Sequence, residues 1–119
     1  MKTCYIAGPI SGLPVAEFRA NFAAGAVEVT QMGYQAVNPC QLPHDHDKSW
    51  LSHMREDLAA LVRCDAVYML EGWQNSKGAN IEYGLANDLG LMIYFQATPM
   101  GVAENDEYGR GMADYFPSA

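Results

Sequence analysis

Two acids and two glycine-bearing loops are the residues whose types and spacing could do chemistry in this chain. Glu82 lies in Ser76-Lys77-Gly78-Ala79-Asn80-Ile81-Glu82-Tyr83-Gly84, about one turn inside a helix. Ser76 can cap that helix or hold an anion at its N-terminus. A Glu early in a helix is also an ordinary dipole partner or capping-box member, a role that needs no ligand. Asp57, in Met54-Arg55-Glu56-Asp57-Leu58, borders the apolar stripe of another helix, where a plain surface acid is not expected. A carboxylate pair near a cleft is what displacement at an anomeric carbon needs. One acid meets the positively charged sugar carbon, while the other orients or protonates the groups around it.

The first loop is Gly8-Pro9-Ile10-Ser11-Gly12. Its glycines would let backbone approach a ligand, and the following helix offers unpaired N–H groups; the alternative is a tight turn that needs glycine for itself. The loop is neither GxGxxG nor a P-loop, so neither a dinucleotide nor ATP is indicated, and no cofactor is expected. His44-Asp45-His46-Asp47 has the residue types of a metal site, with His53 in reach of joining it. Adjacent ligands in one loop without a second cluster do not make a closed tetrahedral site, so no metal is expected and the segment reads as a solvated loop or lid. Trp73, in the loop after the third strand, is the aromatic expected to stack on a base, whereas Trp50 is assigned to core or interface packing. Asp65, just before the third strand, reads as a turn or cap residue, and Tyr68 and Met69 as core.

Short apolar strands and amphipathic helices must position these groups. Thr3 to Ala7 reads as a buried strand stopped by Gly8-Pro9. Pro14 suits a first helical position, Phe18, Phe22, Val29 and Met32 follow with helical spacing, and Gly33 ends the helix. Tyr34 to Val37 is a second strand, and Cys40 to Lys48 a polar loop. A second helix begins near Ser49, with Leu51, Met54, Leu58, Leu61 and Val62 as its stripe. Ala66 to Leu70 is a third strand, a third helix runs from about Ala79 to Leu89, and Leu91 to Phe95 is a fourth strand. Strand–helix alternation with continuously apolar strands predicts a Rossmann-like (flavodoxin-like) α/β three-layer sandwich around a parallel sheet of four to five strands. Ligands of such sheets bind beyond the carboxyl ends of the strands.

With 119 residues the chain is expected to be one domain over 1–119. Its net charge of −7 argues against polymeric nucleic acid or an anionic membrane as partner, and leaves a single small anion possible. Three cysteines, Cys4, Cys40 and Cys64, with no CxxC spacing favour free thiols in a reducing cytoplasm. No apolar run approaches the ~20 residues of a membrane span.

Tyr5-Ile6-Ala7-Gly8-Pro9-Ile10, Met54-Arg55-Glu56-Asp57-Leu58, Cys64-Asp65-Ala66-Val67 and Ser76-x-Gly78-x-x-x-Glu82-x-Gly84-x-Ala86 occur in the order seen in nucleoside 2-deoxyribosyltransferase-like proteins. That superfamily includes the 2'-deoxynucleoside 5'-monophosphate N-glycosidases. With Gly72-Trp73-x-x-Ser76-x-Gly78-Ala79, the chain looks most like a small branch common in phages and bacteria. The resemblance spans roughly residues 3 to 95 and implies a glycosidase or deoxyribosyltransferase. It makes Glu82 the nucleophile at C1', Asp57 the acid that contacts the sugar and assists the leaving base, and Tyr5 an aromatic that places the nucleophile. Ser76 matches a phosphate-contacting serine of the monophosphate hydrolases, and Gly8, Pro9, Ile10, Ser11, Trp73 and Gly78 would complete the substrate site. Pro9 stands where the hydrolases carry serine, and Ser11 is the available substitute. The resemblance also implies a homo-oligomer in which a neighbour's tail, with Asp114, Tyr115 and Phe116, completes the pocket. A protein that binds a nucleotide-derived ligand, such as an ADP-ribose-like signal, without turning it over is the alternative.

Overall fold

The residues of the first strand alternate in where they pack, and that alternation sets the architecture. In the computed structural model, which describes residues 1–42 and 49–97, Cys4 and Ile6 pack with Phe22, Val29, Ala66, Tyr68 and Leu70. Tyr5 and Ala7 join the other cluster, with Leu61, Val67, Met69, Ala79 and Ala86. Strand period two therefore splits one uncharged pentapeptide between two cores.

The elements are β1 (Thr3–Ala7), α1 (Val15–Gln31), β2 (Gln35–Val37), α2 (Trp50–Leu61), β3 (Ala66–Met69), α3 (Lys77–Leu89) and β4 (Met92–Phe95). All strand pairs are parallel, and the sheet order is β2-β1-β3-β4. Helix α1 covers one face, and α2 and α3 cover the other, so the three-layer, flavodoxin-like arrangement is present with four strands among the described residues. The chain moves from β1 to β2 on one side, then returns across β1 to β3. The carboxyl ends of β1 and β3 thus flank the switch point where loops diverge and leave a crevice.

Several boundaries differ from the sequence reading. Pro14 has extended backbone and stands before α1 as its cap rather than as its first helical residue. Met32 lies past the helix end and is exposed, while the buried face of α1 is Phe22, Gly25 and Val29. Helix α3 starts at Lys77, two residues earlier than expected, because the Ser76 hydroxyl accepts the Ala79 N–H at 3.2 Å. Asp65 is a tie between strands: its Oδ2 accepts the Thr3 N–H at 2.8 Å. The segment His44–Asp47 and the tail residues Asp114, Tyr115 and Phe116 lie outside the described residues. Among the described residues no helix is long and apolar enough to cross a membrane.

Leu70 closes the α1 layer by filling space that two glycines leave open. A Cβ on Gly8 would stand 2.8 Å from Leu70 Cδ1, and one on Gly25 would stand 2.7 Å from Leu70 Cδ2. Gly25→Ala gains ~1 kcal/mol of helix propensity but overpacks the core at a cost of ~1–3 kcal/mol. Leu70→Ala alone should cost ~2–5 kcal/mol. Urea titration of both single variants and the double variant should show the double less destabilised than the sum by at least ~1 kcal/mol. Strict additivity would mean the two sites do not share this space.

Candidate active site

Both acids occupy positions that helical periodicity gives to the core. The buried residues of α2 are Met54, Asp57 and Leu61, and those of α3 are Ala79, Glu82 and Ala86. Each set runs i, i+3, i+7, so each carboxyl sits in the middle of an apolar stripe. Asp57 is 7% exposed and Glu82 is 5% exposed. The two helices pack on the same face of the sheet, and both acids line one cavity of about 760 Å³.

Tyr5 approaches from below. It is fully buried in β1, and its hydroxyl donates to Glu82 Oε2 at 2.7 Å. Burial pushes the Glu82 carboxyl up to about 8, with the charge of Asp57 pushing the same way and the Tyr5 hydrogen bond opposing. Tyr5 is itself raised far above its ordinary value, by burial first and then by the charges of Glu82 and Asp57, so it remains a donor at any physiological pH. Near neutrality, therefore, Glu82 keeps its proton beside Asp57. Tyr5 engages only the Oε2 oxygen of the Glu82 carboxyl group.

The rim of the cavity comes from the carboxyl ends of the strands. Gly8, Pro9, Ile10 and Ser11 line it from the β1 loop, and Ser76 and Gly78 from the start of α3. The glycines of the β1 loop have internal reasons to be glycine: Gly8 makes room for Leu70, and Gly12 has φ of +87°. Close approach to a ligand is not needed to explain either. Ser76 spends a lone pair on capping α3 and keeps its hydroxyl proton to donate. Asn80 fixes the preceding turn by donating to the carbonyls of Gln74, at 3.0 Å, and Ser76, at 2.8 Å.

The two tryptophans are placed opposite to expectation. Trp73 is absent from the cavity lining and stacks on Tyr83, with ring centroids 4.9 Å apart, next to Phe95 at 6.0 Å. Gly72, in the left-handed region at φ +86°, starts a short 3-10 turn that delivers Trp73 to the α3–β4 aromatic cluster. Trp50 lines the cavity instead, and the Lys77 Nζ lies 4.6 Å from its ring centroid, a contact worth ~0.5–1 kcal/mol at an exposed site. His53, Met54 and Asn75 also line it, although the sequence gives none of them a place in the substrate site. A topological signal was available: Trp50 and Lys77 are each the first residue of a helix that follows a strand, and such positions fall at the carboxyl edge of a parallel sheet. Among the described residues no group of three His, Cys, Asp or Glu side chains is placed to hold a metal ion.

Residues 2–95 match a family described as Domain of unknown function (DUF4406). No curated protein matches the chain. The fold is similar to that of a solved structure of the 2-deoxyribosyltransferase from the psychrotolerant bacterium Bacillus psychrosaccharolyticus, with a TM-score of 0.58. The two are 15% identical, over 86% of this chain and 80% of that one, so the likeness is one of fold.

The opposed influences on Glu82 can be separated by following its side-chain carboxyl carbon by NMR as pH is raised. The wild-type signal should titrate near pH 8. Asp57→Asn removes a neighbouring negative charge and should move the midpoint down, whereas Tyr5→Phe removes a donor to the carboxylate and should move it up. Shifts in the same direction for both variants would contradict this account of the site.

Proposed function

The chain belongs to the family described as Domain of unknown function (DUF4406), and we propose that it cleaves the N-glycosidic bond of a nucleoside, ribo or deoxy, or of its 5'-monophosphate, with Glu82 as nucleophile. The observation that carries this reading is the pairing of two buried acids at one cavity, with Tyr5 holding one oxygen of Glu82 at 2.7 Å. Burying two carboxyl groups together is costly for stability and gains nothing structurally, whereas it suits a displacement at a sugar carbon.

In the proposed reaction Oε1 of Glu82, the oxygen that Tyr5 does not hold, bonds to C1' as the bond from C1' to the base nitrogen breaks, and the bonding pair leaves with the base. The acid pair carries one proton near neutrality. As Glu82 ionises to attack, Asp57 holds that proton and passes it to the departing base. Water or a second base then attacks C1', giving its proton to the Asp57 carboxylate, and frees the Glu82 carboxylate. Tyr5 keeps its hydrogen bond throughout and fixes the carboxyl plane. The same reading includes a cytoplasmic homo-oligomer in which a neighbouring copy's tail completes the pocket.

A second reading rests on the same proton. A neutral Glu82 is a hydrogen-bond donor, and a cavity that keeps it neutral would bind a nucleotide-derived ligand, such as one containing ADP-ribose, without attacking it.

Incubation with ribo- and deoxynucleosides and their 5'-monophosphates, followed by chromatography for free base, separates the two readings. Base release should fall at least ~10³-fold in Glu82→Ala. Release that survives the substitution removes Glu82 as nucleophile, and ligand recovered intact from wild type favours binding alone. The pH profile is a separate check. If the one-proton form of the pair is the active one, kcat/KM should fall tenfold per unit above about pH 8, where the pair loses that proton. A profile that instead rises through pH 8 would remove Asp57 from the role of acid.

A further inference from the structure

The backbone of Gly78 does not explain why it is a glycine. It lies within α3, outside the left-handed region, so its conformation suits any residue. Its neighbour on α2 supplies the reason. A Cβ on Gly78 would stand 3.1 Å from Met54 Sδ and 3.9 Å from its Cε, so the thioether rests on bare backbone of α3. Both residues line the cavity, and Met54 is only 6% exposed.

This contact sits directly above the acid pair. Met54 is three positions before Asp57 on α2, and Gly78 is four before Glu82 on α3, about one turn in each case. On the far side of the acids, Leu61 and Ala86 are fully buried in one core cluster. The acids thus occupy a layer closed below by the core and above, between the two helices, by one flexible side chain. Burial is the largest influence that keeps the proton on Glu82. The titratable groups that act on it are Tyr5 from β1 and Asp57 from α2. His53 and Lys77 line the cavity nearer the starts of α2 and α3, and Val67, Met69 and Ile93 of β3 and β4 carry no charge.

We propose that Met54, seated on Gly78, is a positioning residue of this site: it closes the seam between α2 and α3 to water above the acid pair and holds Asp57 and Glu82 at one spacing. A β-carbon at position 78 would push the thioether aside, and a shorter side chain at position 54 would leave the seam open. An unbranched thioether suits the place because it fills an irregular gap between two helices. The inference concerns the pair itself and holds whether the site cleaves a nucleoside or only binds one.

The test follows the Glu82 carboxyl carbon by NMR as pH is raised. In Met54→Ala, water should reach the pair and lower the midpoint from about 8 by about one unit, because burial is what raises it. Met54→Leu keeps the volume and should keep most of the elevation. Gly78→Ala should lower the midpoint by a smaller amount and add nothing in a Met54→Ala background, because both changes act on one contact. Val29→Ala, in the α1 layer on the other face of the sheet, should weaken the fold to urea and leave the midpoint unmoved. A midpoint that stays at about 8 in Met54→Ala, or that moves equally in Val29→Ala, overturns the inference. Should Met54→Ala fail to fold, Gly78→Ala decides alone, and an unmoved midpoint there overturns it. A midpoint that follows Met54 in a protein that releases no base upholds the inference and removes the glycosidase reading alone.

Discussion

A carboxyl group at a core position has to be accommodated by everything around it. Glu82 lies between Ala79 and Ala86 on the buried stripe of α3, where a leucine would be unremarkable. Its charged form is expensive there, so the side chain keeps a proton to about pH 8 and takes a hydrogen bond from Tyr5. That bond joins β1 to α3 across 77 residues of sequence, and it requires the two to pack at one fixed height. Tyr5 can reach it only because strand alternation turns positions 5 and 7 toward α2 and α3, and positions 4 and 6 toward α1. Asp57 on the neighbouring helix adds a second buried acid and raises Glu82 further. Two acids and a phenol within a hydrophobic layer make a local arrangement that is costly in stability and distinctive in chemistry.

Sheet order decides where that arrangement opens to solvent. With β1 and β3 adjacent, the loops that leave their carboxyl ends diverge, one toward α1 and the other toward α3. The crevice between them is lined by Pro9 and Ser11 on one side and by Asn75 and Ser76 on the other. Helices α2 and α3 both begin at this edge, which brings Trp50 and Lys77 together although 27 positions separate them. The acids lie deeper along the same two helices. Depth within the cavity therefore follows position along α2 and α3, with an exposed cation at the mouth and protonatable groups below.

Much of this was legible from residue types. The four strands and three helices of the described residues follow from short apolar runs, from helical spacing, and from Ser76 as a cap; the structure shifts their ends by a residue or two. Asp57 could be noticed because it borders an apolar stripe, and Glu82 because it sits inside a helix that opens with Ser-x-Gly. The tryptophans show where such reading stops. Trp73 is in the right loop, yet the left-handed backbone at Gly72 sends it to Tyr83 and Phe95. Trp50 follows a polar stretch with no periodic clue; its place at the start of α2 puts it at the carboxyl edge of the sheet, and the packing of α2 beside α3 turns that into a place in the cavity lining. Gly8 reads from the sequence as a residue that lets a ligand approach, whereas a Cβ there would run into the side chain of Leu70.

By itself, the sequence determined the alternation of elements, the parallel sheet and the edge at which a ligand would bind. These depend on hydrophobic period and chirality, which act locally and leave a local trace. Only the tertiary structure decided that Tyr5 meets Glu82, that Asp57 shares its cavity, and that Lys77 rests on Trp50. Those contacts join residues far apart in the chain, and their geometry is set by how two helices and a strand pack. The protonation of Glu82 belongs to the same class, because a carboxyl's proton affinity depends on what surrounds it in three dimensions.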